Sequence, residues 1–202
     1  MKQLCKHFVC IFLLLGCDLP ATAQYNMIPK FIINSQPTTN VKELINSSTI
    51  IAFGKFDAAN QKQPTGKRVE GGELVNFVQS FHVKKFLKGT GPRSIRVLST
   101  GIEPLPDPSH PLNKVYPGPM AEGEYVCFLT SVAGTHLYTI IGGWQGVYPV
   151  HEGKVISLEQ SGYSEFNQLT LQELEKKIQA AVFIERPYTF RPADFLHHVP
   201  RT

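Results

Sequence analysis

Leu74 to Leu98, LVNFVQSFHVKKFLKGTGPRSIRVL, alternates along its first half and turns near its middle. Val75, Phe77, Phe81 and Val83 fall on one face, interrupted only by Gln79. Asn76, Ser80, His82 and Lys84 fall on the other, interrupted only by Val78. A period of two marks a strand with one apolar face and one wet face. Phe86 and Leu87 are neighbours that strict alternation cannot bury together, so a bulge is expected near Lys85. Gly89-Thr90-Gly91-Pro92 supplies turn chemistry, glycine for positive φ and proline for a preset φ. Ser94-Ile95-Arg96-Val97-Leu98 then returns as the partner strand, so the stretch reads as a long β-hairpin.

Upstream, Thr49 to Phe56 (TIIAFGKF) is apolar enough for a central strand. Between the two strands, Ala58 to Gly72 is polar, with Gln61, Gln63, Pro64, Gly66 and Lys67, and reads as a mobile hairpin loop. Asn40-Val41-Lys42-Glu43 has the spacing of a helix start, capped by Asn40, with the helix ending near Asn46. Gln24 to Thr39 carries little pattern and reads as an extended arm.

Downstream, Thr100 to Gly123 is a long loop with six prolines. Loops of that length inside a compact domain tend to be functional or disordered, and recognition loop and spacer both remain open. Glu124 to Leu129 and Leu137 to Ile141 read as paired strands. Gly142-Gly143 breaks the second, Trp144 to Tyr148 follows, and His151-Glu152-Gly153-Lys154 turns into Val155-Ile156. Thr170-Leu171-Gln172-Glu173 is a capping box, and Leu169 and Leu174 sit where a hydrophobic staple would be. Leu171, Leu174, Ile178, Ala181 and Val182 form an apolar stripe on the helix it opens, which Pro187 ends.

The N-terminus bears on compartment. Lys2 and Lys6, the apolar run Phe8 to Gly16, and Ala21-Thr22-Ala23 before Gln24 have the layout of a secretory signal peptide cleaved between Ala23 and Gln24. Leu14-Leu15-Gly16-Cys17 offers a rival: a lipoprotein box that would lipidate Cys17 and anchor the chain to a membrane. Both sites are open, and either places the protein outside the cytoplasm, secreted or periplasmic. No later stretch is long and apolar enough to span a bilayer. Of four cysteines, only Cys127 lies in the body of the mature domain, so no disulfide framework is expected. Charged residues make up 18% and hydrophobic ones 42% of 202 residues, which fits a globular core rather than disorder. A net charge of +4 is too small to imply a nucleic-acid partner.

The expected layout is therefore a signal peptide over 1–23, an arm and short helix over 24–47, a barrel over 48–160, a helix region over 161–185 and a flexible tail over 186–202. The fold expected is mainly β: a small barrel or sandwich of five to six antiparallel strands, followed by a C-terminal helix. FHVKKFLKGTGPRSIRVLST (81–100), GEYVCFL (123–129) and LYTIIGG (137–143) resemble the netrin-like domains, which include the tissue inhibitors of metalloproteinases. They also resemble bacterial secreted proteins with a strand–LKG–strand, GEYVxFL and GG-x-QG pattern. The resemblance spans roughly residues 48–156 and implies that the fold is an OB-like, partly open oligonucleotide/oligosaccharide-binding barrel. It does not carry over zinc chelation by a mature N-terminal cysteine, because the family's Cys-x-Cys start is absent here.

Candidate chemistry is sparse. Cys127 would be a nucleophile if a histidine lay beside it, and a core residue otherwise. His82, His110, His136 and His151 have no metal-site spacing, and His197-His198 is a tail pair. No catalytic, cofactor or metal residue is expected. Lys84, Lys85 and Lys88, with Arg93 and Arg96, form a basic stripe that would suit an anionic lipid headgroup or acidic glycan. It would equally serve as a solvated strand edge. Trp144, Gln145, Tyr148 and His151 would form a partner surface on a rigid turn, or Trp144 would plug one end of the barrel. The expectation is a non-enzymatic binding or assembly module with a protein or glycan partner outside the cytoplasm. The alternatives are a loop-mediated protease inhibitor and a Cys- or His-dependent hydrolase.

Overall fold

The computed structural model describes residues 27–33, 36–107 and 109–183. The expected cleavage site at Ala23 and Gln24, the lipidation site at Cys17, and the tail with its histidine pair lie outside the described residues.

Helix α1 (Val41–Ser47) opens as its sequence dictates. The Glu43 amide donates to Asn40 Oδ1 at 2.8 Å, and the Glu43 carboxylate accepts from the Thr39 amide at 2.6 Å. Strands β1 (Ile50–Val69) and β2 (Gly72–Lys88) form a long antiparallel pair, closed by a tight turn at Glu70-Gly71 with Gly71 at φ 84°. This corrects the loop expected over Ala58 to Gly72: Asn60 to Val69 are strand, paired to β2 from Asn60↔Gln79 to Val69↔Gly72. Beyond Phe56, β1 pairs only with β2 among the described residues. It is an edge there, so its side chains need not be apolar. Lys62, Pro64, Lys67 and Arg68 discourage further pairing, as edge strands require.

The bulge expected near Lys85 is present twice. Ile51 faces Lys88 and Ala52 faces Phe86, leaving Leu87 unpaired; Phe53 faces Lys85 and Gly54 faces Val83, leaving Lys84 unpaired. Phe86 then packs on one cluster and Leu87 on another.

Strand β3 (Ser94–Glu103) pairs antiparallel with β2. A one-turn helix α2 (Leu112–Val115) lies within the proline-rich segment, which starts after Glu103 rather than at Thr100. Strands β4 (Gly123–Ser131), β5 (Tyr138–Ile140), β6 (Val147–His151) and β7 (Lys154–Val155) complete one seven-stranded sheet, ordered β1-β2-β3-β5-β4-β6-β7. Strand β1 also pairs with β4, from Ile50↔Leu129 to Phe56↔Gly123. The sheet is mixed, because Val97 of β3 and Tyr138 of β5 pair in parallel. The all-antiparallel, five- to six-stranded arrangement is corrected on both counts. A parallel contact arises here because β5, antiparallel to β4, is inserted between β3 and β4 in the sheet order.

Around β4 both faces of the sheet are buried, which accounts for the apolar density of that strand. Along β4, Cys127 and Leu129 join one cluster with Phe56, Phe81 and Ile95; Val126 and Phe128 join another beneath α1 and α3 (Leu171–Phe183). A third cluster, Val78, Leu98, Val132 and Leu137, lies under Ile28 and Ile33 of the N-terminal arm.

The capping box of α3 forms. Thr170 donates its amide and its hydroxyl to Glu173 Oε2 at 2.8 Å each. Bonds from Thr170 lower the Glu173 pKa, and bonds from Thr39 lower that of Glu43. A carboxyl with a depressed folded pKa stabilises above its unfolded value and loses that contribution as pH falls through the folded one. Both helix starts are therefore expected to fray below the usual carboxylate range. The check is an NMR titration of the Thr170 and Thr39 amides, which should move with their glutamates and stay still in Glu173→Gln and Glu43→Gln.

Candidate functional site

The proline-rich segment is held over the sheet by polar side chains from distant strands. Gln79, the one polar residue on the apolar face of β2, is 3% exposed. Its Nε2 donates to the Met120 carbonyl at 2.8 Å and the Asp57 carbonyl at 3.1 Å, and its Oε1 accepts from the Met120 amide at 2.7 Å. The Gly118 amide donates to the Thr100 carbonyl, and Trp144 Nε1 donates to the Asn113 carbonyl at 2.7 Å. Gly101 faces Gly118 at their closest approach, where a Cβ on Gly101 would lie 2.6 Å from the Gly118 Cα.

An open cleft of about 170 Å³ lies where β1 leaves register with β2. Phe56 faces Phe81 and Asn60 faces Gln79, so Asp57, Ala58 and Ala59 together face Ser80. Asp57, Gln61, Ser80 and Arg96 line it, with Val78 on its apolar side. His82 Nε2 lies 2.8 Å from Asp57 Oδ2, and Arg96 donates to Gln61 Oε1 at 2.9 Å. The walls offer donors and acceptors of both signs above an apolar patch. Pockets that take drug-sized ligands measure about 300–1,000 Å³, so this cleft suits one polar group of a larger ligand lying across the face.

The expected basic stripe is committed to internal partners. Lys84 pairs with Glu124 and lies over the Phe53 ring, Lys85 reaches Glu175 of α3 at 2.5 Å, and Arg93 donates to the Lys84 carbonyl. Lys88 donates to the Ile45 carbonyl at 2.6 Å, closing the last turn of α1. Gln145 accepts from the Thr38 amide at 2.6 Å and donates to the Thr38 carbonyl at 3.2 Å, tying the N-terminal segment to the 3-10 turn Gly143–Gly146. Trp144 packs on the Phe56 cluster while its indole N–H holds the proline-rich segment. Tyr148 is fully buried, and its hydroxyl accepts from the Tyr163 amide at 3.1 Å. Burial pushes its phenol pKa up. Only His151 of this group is highly exposed, at a hairpin tip 3.9 Å from Glu152. Tyr148→Phe is expected to cost about 1 kcal/mol, the worth of one buried hydrogen bond, measured by urea unfolding.

Cys127 is fully buried in the Phe56 cluster, and desolvation pushes its thiol pKa up, away from the thiolate a nucleophile needs. His110 accepts from the Leu112 amide at 3.2 Å. Among the described residues, no three histidine, cysteine or acidic side chains gather as metal ligands, and no helix is long and apolar enough to cross a membrane. The cleft was not anticipated: Ala59, Asn60 and Gln61 in its wall come from a segment whose polarity reads as loop. Its one signal was Gln79, a lone amide in an apolar row. Compared with models of known protein families and with curated proteins, the chain matches none.

Proposed function

We propose that this chain is an exported, non-enzymatic binding or assembly module built on a partly open OB-like barrel of the netrin-like kind. The observation that carries the reading is the ring of pairings β1-β2-β3-β5-β4-β1, whose β3–β5 contact is parallel. Barrels of that type bind ligands across the second and third strands, flanked by the loop joining the first two. In support, the cleft lies on β2 and β3, between the β1 register break, Ser80 of β2 and Arg96 of β3, although not at the β1–β2 turn of Glu70-Gly71. The buried, protonated Cys127 and the internally paired lysines favour binding over hydrolysis or broad anion capture. The protein acts outside the cytoplasm, freed at Gln24 or anchored through Cys17, and the intact mass of the mature protein distinguishes the two.

The test of binding is an NMR titration of labelled protein with neutral oligosaccharides, uronate oligosaccharides and unstructured peptides. Shifts confined to the amides of residues 57–61, Ser80 and Arg96 are the expected result. A library that leaves them unmoved, or turnover of any member that Cys127→Ala abolishes, overturns the reading.

A further inference from the structure

The face of β2 and β3 that carries the cleft is already occupied nearby, by the chain itself. Residues 27–33 cross it without forming a strand. Asn76, with no solvent exposure, donates both Nδ2 hydrogens to the arm, to the Pro29 carbonyl at 2.7 Å and the Phe31 carbonyl at 2.8 Å. Its Oδ1 accepts from the Thr100 hydroxyl at 2.7 Å, and Thr100 Oγ1 in turn accepts from the Ile33 amide at 3.0 Å. Two carbonyls and one N–H are recognised, all backbone, so this polar contact demands an extended chain rather than a particular sequence. Below them, Ile28 and Ile33 pack on Val78, Leu98, Val132 and Leu137. Val78 also lines the cleft, so the apolar bed and the cleft are continuous.

The arm covers this bed, with Asn76, Val78, Leu98, Val132 and Leu137 all buried, but not all of its own apolar side chains are used. Met27 and Phe31 stay largely exposed, at 75% and 51%, although both are large and apolar. A buried asparagine whose two hydrogens both meet an extended segment is a built receptor for backbone, and an apolar bed below it rewards side chains on one face.

We propose that the outer groove of β2 and β3 binds an extended, apolar polypeptide segment, and that residues 27–33 are a built-in competitor for it. The proposal rests on the binding-module reading and names its ligand class. An arm seated nine-tenths of the time weakens the apparent affinity of an outside segment about tenfold, because only the vacated fraction is competent.

The experiment uses the full chain and a fluorescein-labelled peptide of residues 27–33, MIPKFII, followed by anisotropy. Ile33→Ser loosens the arm while leaving the groove intact, and Ile28→Ser repeats the comparison from the other anchor; near-UV circular dichroism confirms that each variant is folded. The expected result is a Kd about tenfold lower for the variants than for the unaltered chain. A gain under threefold, or no binding to any of them, overturns the proposal. If the peptide binds none while an oligosaccharide shifts the amides of residues 57–61, the peptide assignment falls and the binding-module reading stands. If neither ligand registers, both fall.

Discussion

Gln79→Ala is expected to lower the unfolding free energy by about 3–5 kcal/mol, far more than its small apolar content would account for. The substitution leaves the buried Met120 amide and carbonyl and the Asp57 carbonyl without their partner. Each orphaned buried group costs about 1–3 kcal/mol. Gln79→Leu restores volume but not the bonds, so it should recover little. The loss should also be local in kind. Hydrogen exchange at Met120 and Gly118 should accelerate ahead of the β4 core, because the amide clamp is what seats the proline-rich segment. Urea unfolding with exchange mass spectrometry measures both, and a cost below 1 kcal/mol with unchanged exchange would sink the account.

Phe128→Ala should match it through a different mechanism. The Phe128 ring lies 5.6 Å from those of Tyr148 and Phe166, stacked on the latter, and Tyr148 meets Phe166 edge-on at 5.2 Å. Removing it opens a cavity in the cluster that seats α3, at about 3–5 kcal/mol. Cys127, its neighbour on the opposite face, should cost far less when changed to alanine, since only a sulfur is removed. Trp144 is the chain's one tryptophan and packs on the Phe56 cluster. Its emission in the folded Phe128→Ala protein should therefore stay unchanged while the near-UV tyrosine signal weakens. A shifted tryptophan emission would mean that the two faces do not respond separately.

These two residues mark where the sequence was legible. Alternation exposed β2 and its bulge, and the capping boxes announced α1 and α3, because those signals are local and each rests on a few neighbouring residues. Asn60 to Val69 was not legible as strand. An edge strand is held by its backbone, and Pro64, Gly66 and three cations are what keep such an edge from recruiting others. The parallel contact of Val97 with Tyr138 has no sequence signature, since it follows from how β4 and β5 are placed. The candidate site suffered most. Lys85 and Lys88 look free beside Lys84, yet their partners are Glu175 on α3 and Ile45 on α1, 90 and 43 residues away. The Asn76–Thr100 receptor was equally hidden, one residue looking like the wet face of a strand and the other like the start of a loop.

The sequestered thiol of Cys127 has a practical consequence. If the mature chain starts at Gln24, it carries this cysteine alone. A thiol reagent then has one target, which it reaches only when the Phe56 cluster comes apart. The modification rate, compared with that of the unfolded chain, gives the population of the opened state under native conditions, without denaturant and without an engineered probe. The natural sequence thus contains its own clock for how often its interior is breached, and any bound partner that steadies the sheet should slow it.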